Sequence, residues 1–202
     1  MVREQIEARG VKNPRVIKVI REVPRHRFVP AAIQGLAYGD RPLPIGYGQT
    51  ISQPYIVAFM TDALALEPGH KVLEVGTGSG YQAAILARLA GEVYSIEIVE
   101  PLGRLARERL AMMGYRNIQV RIGDGYVGWP EEAPFDRIIL TAAPRVIPQA
   151  LLEQLKPGGR MVAPVGSTSE DQELVVIDKD GAGRIQRRNV MGVRFVPMVR
   201  GK

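Results

Sequence analysis

The chain has 202 residues, 46% of them apolar, which suffices for one well-buried core and makes a single domain the expectation. It contains no cysteine, which removes disulfides and a thiol nucleophile, and no apolar run approaches the roughly 20 residues of a membrane span. A net charge of +6 permits nucleic-acid contact without specifying it, since the basic residues are scattered apart from Arg184, Arg187 and Arg188, which read first as a solvated strand face.

The charged amino terminus, MVREQIEARG, reads as helical rather than as a signal peptide, so a cytoplasmic location is expected. Asn13-Pro14 supplies a helix cap and first helical residue. Val16, Val19, Ile20 and Val23 then form one apolar face at helical spacing. Residues 35–50, GLAYGDRPLPIGYGQT, are so rich in Gly and Pro that no regular element is expected there, and a loop of that length is usually functional. A helix follows over 54–64, with Pro54 in its first turn. Just before it stand Thr50, Ile51 and Ser52. A hydroxyl beside the free N–H groups of a helix start suits a bound carboxylate, while the plainer alternative is that Ser52 or Gln53 caps the helix.

The run KVLEVGTGSGYQAA, residues 71–84, reads as a buried strand, a glycine-rich turn and a helix start. Glu74 lies two positions before the first of Gly76, Gly78 and Gly80, glycines that let a ligand approach the backbone closely. A dinucleotide site wants a third glycine or alanine where this chain has Tyr81, and no Lys-Ser or Lys-Thr follows as a P-loop requires. The remaining pattern, acidic-x-G-x-G-x-G, resembles the first motif of the S-adenosylmethionine-dependent methyltransferases. That cofactor carries an ammonium and a sulfonium and no phosphate, so an acidic residue at the strand end makes electrostatic sense.

After a helix at 80–90, a second strand at 92–98 carries Glu97, about 20 residues past the first glycine, where nucleotide folds set a carboxylate on the ribose hydroxyls. Glu97 alone would read equally as an ordinary strand-end residue. A helix at 101–113 and a strand at 117–122 lead to Asp124-Gly125, expected either beside an adenine or as a plain Asp-Gly turn. Strand 136–141, helix 148–156 and strand 160–165 continue the alternation. Residues 173–178 and 184–190 flank Asp180-Gly181 as a hairpin. The expected fold is α/β: a doubly wound, mostly parallel sheet of the methyltransferase type, with a C-terminal antiparallel hairpin and an N-terminal helical segment. Residues 1–65 form the substrate-side segment of this single domain and 66–202 the cofactor-binding core. His26 and His70 make no metal-ligand spacing, and no metal is expected.

Six separate stretches together resemble the protein-L-isoaspartate (D-aspartate) O-methyltransferases. They are QIEARGVKNPRVIKVIREVPRHRFVP at 5–30, YGDRPLPIGYGQTISQPYIVAFM at 38–60, and the glycine motif with its Tyr81–Ala84 extension; then GDGYVGWPEEAPFDRIILTAA at 123–143, LLEQLKPGGRMVAPVG at 151–166 and VRFVPM at 193–198. GQTISQP is the discriminating piece. The resemblance implies methyl transfer from S-adenosylmethionine to the free α-carboxylate of L-isoaspartyl and D-aspartyl residues in damaged proteins, leaving S-adenosylhomocysteine. It implies Ser52 in the active site, Thr50, Ile51 and the Val196 carbonyl on the substrate, and Glu74, Gly76, Thr77, Gly78, Ser79, Gln82, Glu97, Asp124 and Gly125 on the cofactor. A monomer without nucleic-acid or membrane partners is expected.

The chemistry fits independently. A carboxylate is ionised at pH 7 and needs no general base, so the protein has only to align the reactants and exclude water. Base-amino methylation would call for an aromatic clamp where the chain reads Thr141-Ala142-Ala143-Pro144, and base-carbon methylation for a cysteine. Metal-dependent O-methylation would call for a carboxylate cluster, which the sequence lacks. A non-catalytic cofactor-binding module has no evident use for an intact GQTISQP loop.

Overall fold

The structure is a computed structural model, and it describes residues 1–167 and 171–201. A π-helical turn at Val2–Ile6 and a 3-10 turn lead to α1, Pro14–Glu22. The Asn13 side chain accepts the Arg15 N–H at 3.0 Å, so the cap read from the sequence forms. Two further 3-10 turns, Arg25–Phe28 and Ala31–Leu36, carry the chain to β1, Leu43–Gly46, and β2, Gln49–Ile51. These two strands pair as a small antiparallel hairpin inside the stretch expected to hold no regular element. The glycines there make the turn rather than break the structure: Gly46, Tyr47 and Gly48 all have positive φ, at 93°, 53° and 69°.

Helix α2 spans Pro54–Ala63. Arg137 Nε donates to the Leu64 carbonyl at 2.7 Å and Arg160 Nη1 to the Ala63 carbonyl at 3.1 Å, so two cations satisfy the orphan carbonyls at its negative end. Then β3 (Lys71–Val75), α3 (Tyr81–Ala87), β4 (Glu92–Glu97), α4 (Glu100–Met112), β5 (Ile118–Ile122), β6 (Phe135–Leu140), α5 (Gln149–Gln154) and β7 (Leu155–Val165) alternate. The last strands are β8 (Gln172–Lys179) and β9 (Ile185–Val193). The seven-stranded sheet has the order β5-β4-β3-β6-β7-β8-β9; β5 through β7 run parallel, and β8 and β9 antiparallel.

The strand at 160–165 starts earlier than the glycines suggested. Gly158 and Gly159 do not separate helix from strand; they lie within β7, where Leu155 pairs with Phe135 and, after a register shift, Arg160 with Arg137. Gly158, at φ 80°, absorbs the irregularity. The β8–β9 hairpin forms as expected, but its left-handed residue is Gly183 rather than Gly181.

Alternation along the parallel strands fixes the two faces. Val72 and Val93 pack with α1, α2 and α3 and with Ile6, Val11 and Phe28 of the N-terminal segment. Leu73, Val75, Tyr94 and Ile96 point the other way, against Leu151 and the Phe135 side of the core. Glu74, Ser95 and Glu97 therefore share the face turned toward α2 and α3. Between β3 and β6 the chain reverses its direction of travel across the sheet, which leaves a crevice at the strands' carboxyl ends.

Candidate active site

Two adjoining cavities occupy that crevice. The larger encloses about 710 Å³ counted to its open mouth, solvent at the mouth included. Gly76 and Gly78 from the β3–α3 turn line it, with Glu97 and Val99 after β4, Gly125, Thr141 after β6, and Val196 to Val199. The smaller, about 320 Å³, is lined by Thr50, Ile51 and Ser52, by Gly76 to Ser79, and by Tyr81 and Gln82. Thr50, Gly76, Gly78 and Thr141 line both.

The turn that divides them is pinned from several sides. Gly76 has φ 104°, and a Cβ on it would lie 2.3 Å from Thr141 Oγ1. That hydroxyl lies 2.5 Å from the Gly76 carbonyl and 3.1 Å from that of Val75. Glu97, nearly buried, accepts the Gly78 N–H at 2.7 Å and the Val99 N–H at 2.9 Å, one on each oxygen. Each oxygen retains accepting capacity toward the cleft. Among the described residues, Glu97 is the only ionisable one lining the larger cavity.

Glu74 stands elsewhere than expected. It is fully buried, does not line either cavity, and accepts a hydrogen bond from Ser95 Oγ; the Ser95 hydroxyl in turn meets Thr77 Oγ1 at 2.6 Å. Among the described residues Glu74 Oε1 has no hydrogen-bond partner. Burial pushes this carboxyl up to about 8, opposed by the Ser95 hydrogen bond and reinforced by the nearby Glu97 charge. The acidic residue of the motif thus props the glycine turn from behind as a neutral acid.

Thr77, Ser79 and Gln82, expected on the cofactor, line the smaller cavity beside Thr50 to Ser52. Gln82 Nε2 donates to Thr61 Oγ1 at 2.9 Å, tying α3 to α2. Asp124 does not line the cleft: its carboxylate accepts the Tyr126 N–H at 2.8 Å and the Gly201 N–H at 3.1 Å, the geometry of the Asp-Gly turn. Gly125 does line it, and a Cβ there would come 2.3 Å from Val75 Cγ1. Val196 lies in the larger cavity rather than the smaller, and its carbonyl already accepts the Ala143 N–H at 2.9 Å, leaving one lone pair.

The helix-cap alternative for Ser52 fails. The N-cap of α2 is Gln53, and no side chain caps the helix; Gln53 Nε2 instead donates to the Asp40 carbonyl at 3.0 Å. The half-buried Ser52 hydroxyl makes no hydrogen bond among the described residues and borders the smaller cavity. Reading the sequence missed Arg25, Arg109, Ser95 and Thr141. Of these only Thr141 carried a signal, as the residue ending the β6 run.

The histidines are structural: Nδ1 of His70 accepts the Glu67 N–H at 2.9 Å, and His26 Nδ1 lies 2.7 Å from the Tyr38 hydroxyl. Among the described residues no group of three or more His, Cys, Asp or Glu could hold a metal, and no helix is long and apolar enough to cross a membrane.

These features fit S-adenosylmethionine. The wall of the larger cavity is bare backbone at Gly76 and Gly78, and Glu97 offers acceptors to a vicinal diol. The comparisons agree. A Polaromonas protein-L-isoaspartate O-methyltransferase 2 is 60% identical over 186 residues, covering 92% of this chain and 88% of its own length. The Gloeobacter violaceus protein-L-isoaspartate O-methyltransferase is 53% identical over 202 residues, 100% of this chain and 98% of its own. A solved protein-L-isoaspartate O-methyltransferase, 29% identical, superposes with a TM-score of 0.88 over 98% of this chain and 65% of that longer one. A Plasmodium falciparum candidate enzyme of the same kind, in complex with S-adenosyl-L-homocysteine, shares the fold at 24% identity, with a TM-score of 0.85 over 99% of this chain and 97% of that one. The family model for protein-L-isoaspartate(D-aspartate) O-methyltransferase matches residues 1–202, and the chain belongs to that family.

Proposed function

We propose that Ser52 orients the acceptor carboxylate while Glu97 and the Gly76–Gly78 turn hold the cofactor. The reaction is repair methylation: a methyl group passes to the free α-carboxylate of an L-isoaspartyl residue, or to the free side-chain carboxylate of a D-aspartyl residue, in a damaged protein. Held by Glu97 and the Gly76–Gly78 turn, S-adenosylmethionine would supply an electrophilic methyl group to the acceptor carboxylate, leaving S-adenosylhomocysteine as the product. The acceptor is ionised at neutral pH, so no residue has to remove a proton. The chain's work is alignment and the exclusion of water.

One observation carries this reading. The two cavities adjoin at Thr50, Gly76, Gly78 and Thr141, which supports a donor in the larger standing beside an acceptor at Ser52. The free Ser52 hydroxyl is a donor suited to a carboxylate oxygen. Thr50 and Ile51 flank it, and the Val196 carbonyl, with its remaining lone pair, is an acceptor for the substrate's backbone. An isoaspartyl carboxylate sits on a shorter stem than that of a normal aspartate. A clamp on the peptide backbone therefore misaligns the normal isomer, and a misplacement of about 1 Å costs roughly 100-fold. We further propose that the protein acts as a monomer in the cytoplasm, without nucleic-acid or membrane partners.

The test is transfer of a labelled methyl group to an isoaspartyl peptide, its aspartyl twin and tRNA. Methylation of the isoaspartyl peptide alone is expected. Equal transfer to both peptides would sink the clamp, and transfer to tRNA would sink the acceptor class.

A further inference from the structure

Beneath the smaller cavity lies a column of four buried or half-buried side chains from three segments. Arg109 of α4 donates from Nη1 to the Ser79 carbonyl at 2.7 Å, and its guanidinium carbon lies 6.0 Å from the Phe28 ring centroid. Phe28 meets Tyr81 edge-on, with centroids 5.3 Å apart and planes at 63°. The Arg25 guanidinium lies 5.0 Å from the Tyr81 centroid on the column's far end. Tyr81 lines the smaller cavity.

Arg25 is the anomaly. It is 0% exposed and forms no ion pair among the described residues. Its fork is spent on two main-chain carbonyls: Nε donates to Ala37 at 2.8 Å and Nη2 to Ser52 at 2.7 Å. Among the described residues neither Nη1 nor the Tyr81 hydroxyl meets hydrogen-bond geometry, but the two groups attract each other, and the Asp40 charge also favours the guanidinium that burial opposes. Burying a guanidinium with no carboxylate in ion-pair contact is costly, and a well-packed apolar side chain would give the core more stability. What an apolar residue cannot do is hold two carbonyls, 15 positions apart in the chain, in one planar geometry. One of them belongs to Ser52.

We infer that Arg25 is a positioning residue for the methyl transfer: through the Ser52 carbonyl and the Tyr81 ring it sets where the Ser52 hydroxyl stands relative to the glycine turn. This rests on the reading of Ser52 given above. Arg25 contacts neither cavity, so its effect is wholly indirect.

The test uses the full chain with Arg25→Lys, Arg25→Met, Ser52→Ala and the doubles, assayed with S-adenosylmethionine and an isoaspartyl peptide. Lys cannot fork across both carbonyls, and Met keeps the stem without a donor. On the scale of a sub-ångström misplacement, Arg25→Lys is expected to lower kcat roughly tenfold, with cofactor Kd changed less than about twofold, and Arg25→Met to lower it further. In the Ser52→Ala background the same changes should cost less than about twofold, because contacts in one chain of action are not additive. Amide exchange over residues 49–53 should quicken in both Arg25 variants and that over 76–80 should not. Additive losses, an equal loss of cofactor affinity, unchanged exchange at 49–53, or failure of both variants to fold would overturn the inference. Ser52→Ala alone reports separately on the Ser52 assignment: an unchanged rate there removes Ser52 from the site whatever the Arg25 variants do.

Discussion

Glu74 and Glu97 end neighbouring parallel strands on the same face of the sheet, yet their environments set them opposite tasks. Glu97 accepts two backbone N–H groups and faces the cleft, whereas Glu74 is sealed behind the turn with one hydroxyl for company. Its raised value, about 8 against an ordinary 4.5, has a consequence for stability. Between those two values the folded chain holds a proton that the unfolded chain has released, so stability falls as pH rises through that window. The contribution is fully present below about 4.5 and lost as pH passes 8. Glu74→Gln keeps an acceptor for Ser95 and cannot ionise. Unfolding free energies of wild type and Glu74→Gln should therefore diverge between about pH 5 and pH 9, with the wild type falling behind by on the order of a few kcal/mol. Parallel curves would show that Glu74 is ionised in the fold. The sequence identified Glu74 as part of the site because a motif records position, not depth. Which side of a glycine turn a strand residue faces depends on where the neighbouring helices pack, and that is written in residues far away.

Among the elements, the β3–α3 turn was legible from spacing because its glycines answer to local constraints: left-handed φ at 76, 78 and 80, and close approach at 76. The β1–β2 hairpin was not legible. Its strands are only three or four residues long and contain Pro44, so no alternation exists to be read, and its turn strings three left-handed residues together. The hairpin nonetheless forms part of the site. Ile45 reaches to within 3.3 Å of where a Gly78 Cβ would lie, and Thr50 lines both cavities. Gly78→Val puts a branched side chain between hairpin and turn, in a backbone region that disfavours it by roughly 1–2 kcal/mol. Its neighbour is only the tip of the Ile45 side chain, so the fold should survive. Calorimetric titration with S-adenosylmethionine should show binding lost while the variant still melts cooperatively. Unchanged affinity would move the cofactor away from this turn.

At the scale of the molecule, the division into a segment at 1–65 and a core at 66–202 describes roles rather than independent units. Ile6, Val11, Val16, Val19, Ile20 and Phe28 are buried in the same cluster as Val72, Ile85 and Val93 of the sheet and α3. Side-chain ties bind the two further: Arg15 donates to the Leu89 carbonyl at 3.1 Å, Gln82 to Thr61, and Arg137 and Arg160 hold the end of α2. A chain starting at residue 66 would expose the apolar surface of the sheet and of α3 that α1, α2 and the first turns cover, a patch larger than soluble monomers carry. Two consequences follow from the same packing. The intact protein should unfold in a single step, with calorimetric and van't Hoff enthalpies equal. The 66–202 fragment should fail to give a soluble, cooperatively melting species. A fragment that melts sharply by itself, or two resolved transitions in the whole chain, would make the N-terminal segment a separable lid. The acceptor pocket would then be an interface between units and not a fixture of one core. Since Arg25, Phe28 and Ser52 all lie in that segment while Tyr81 and Ser79 lie beyond it, the same experiment asks whether the alignment of donor and acceptor is built into the folding of the protein.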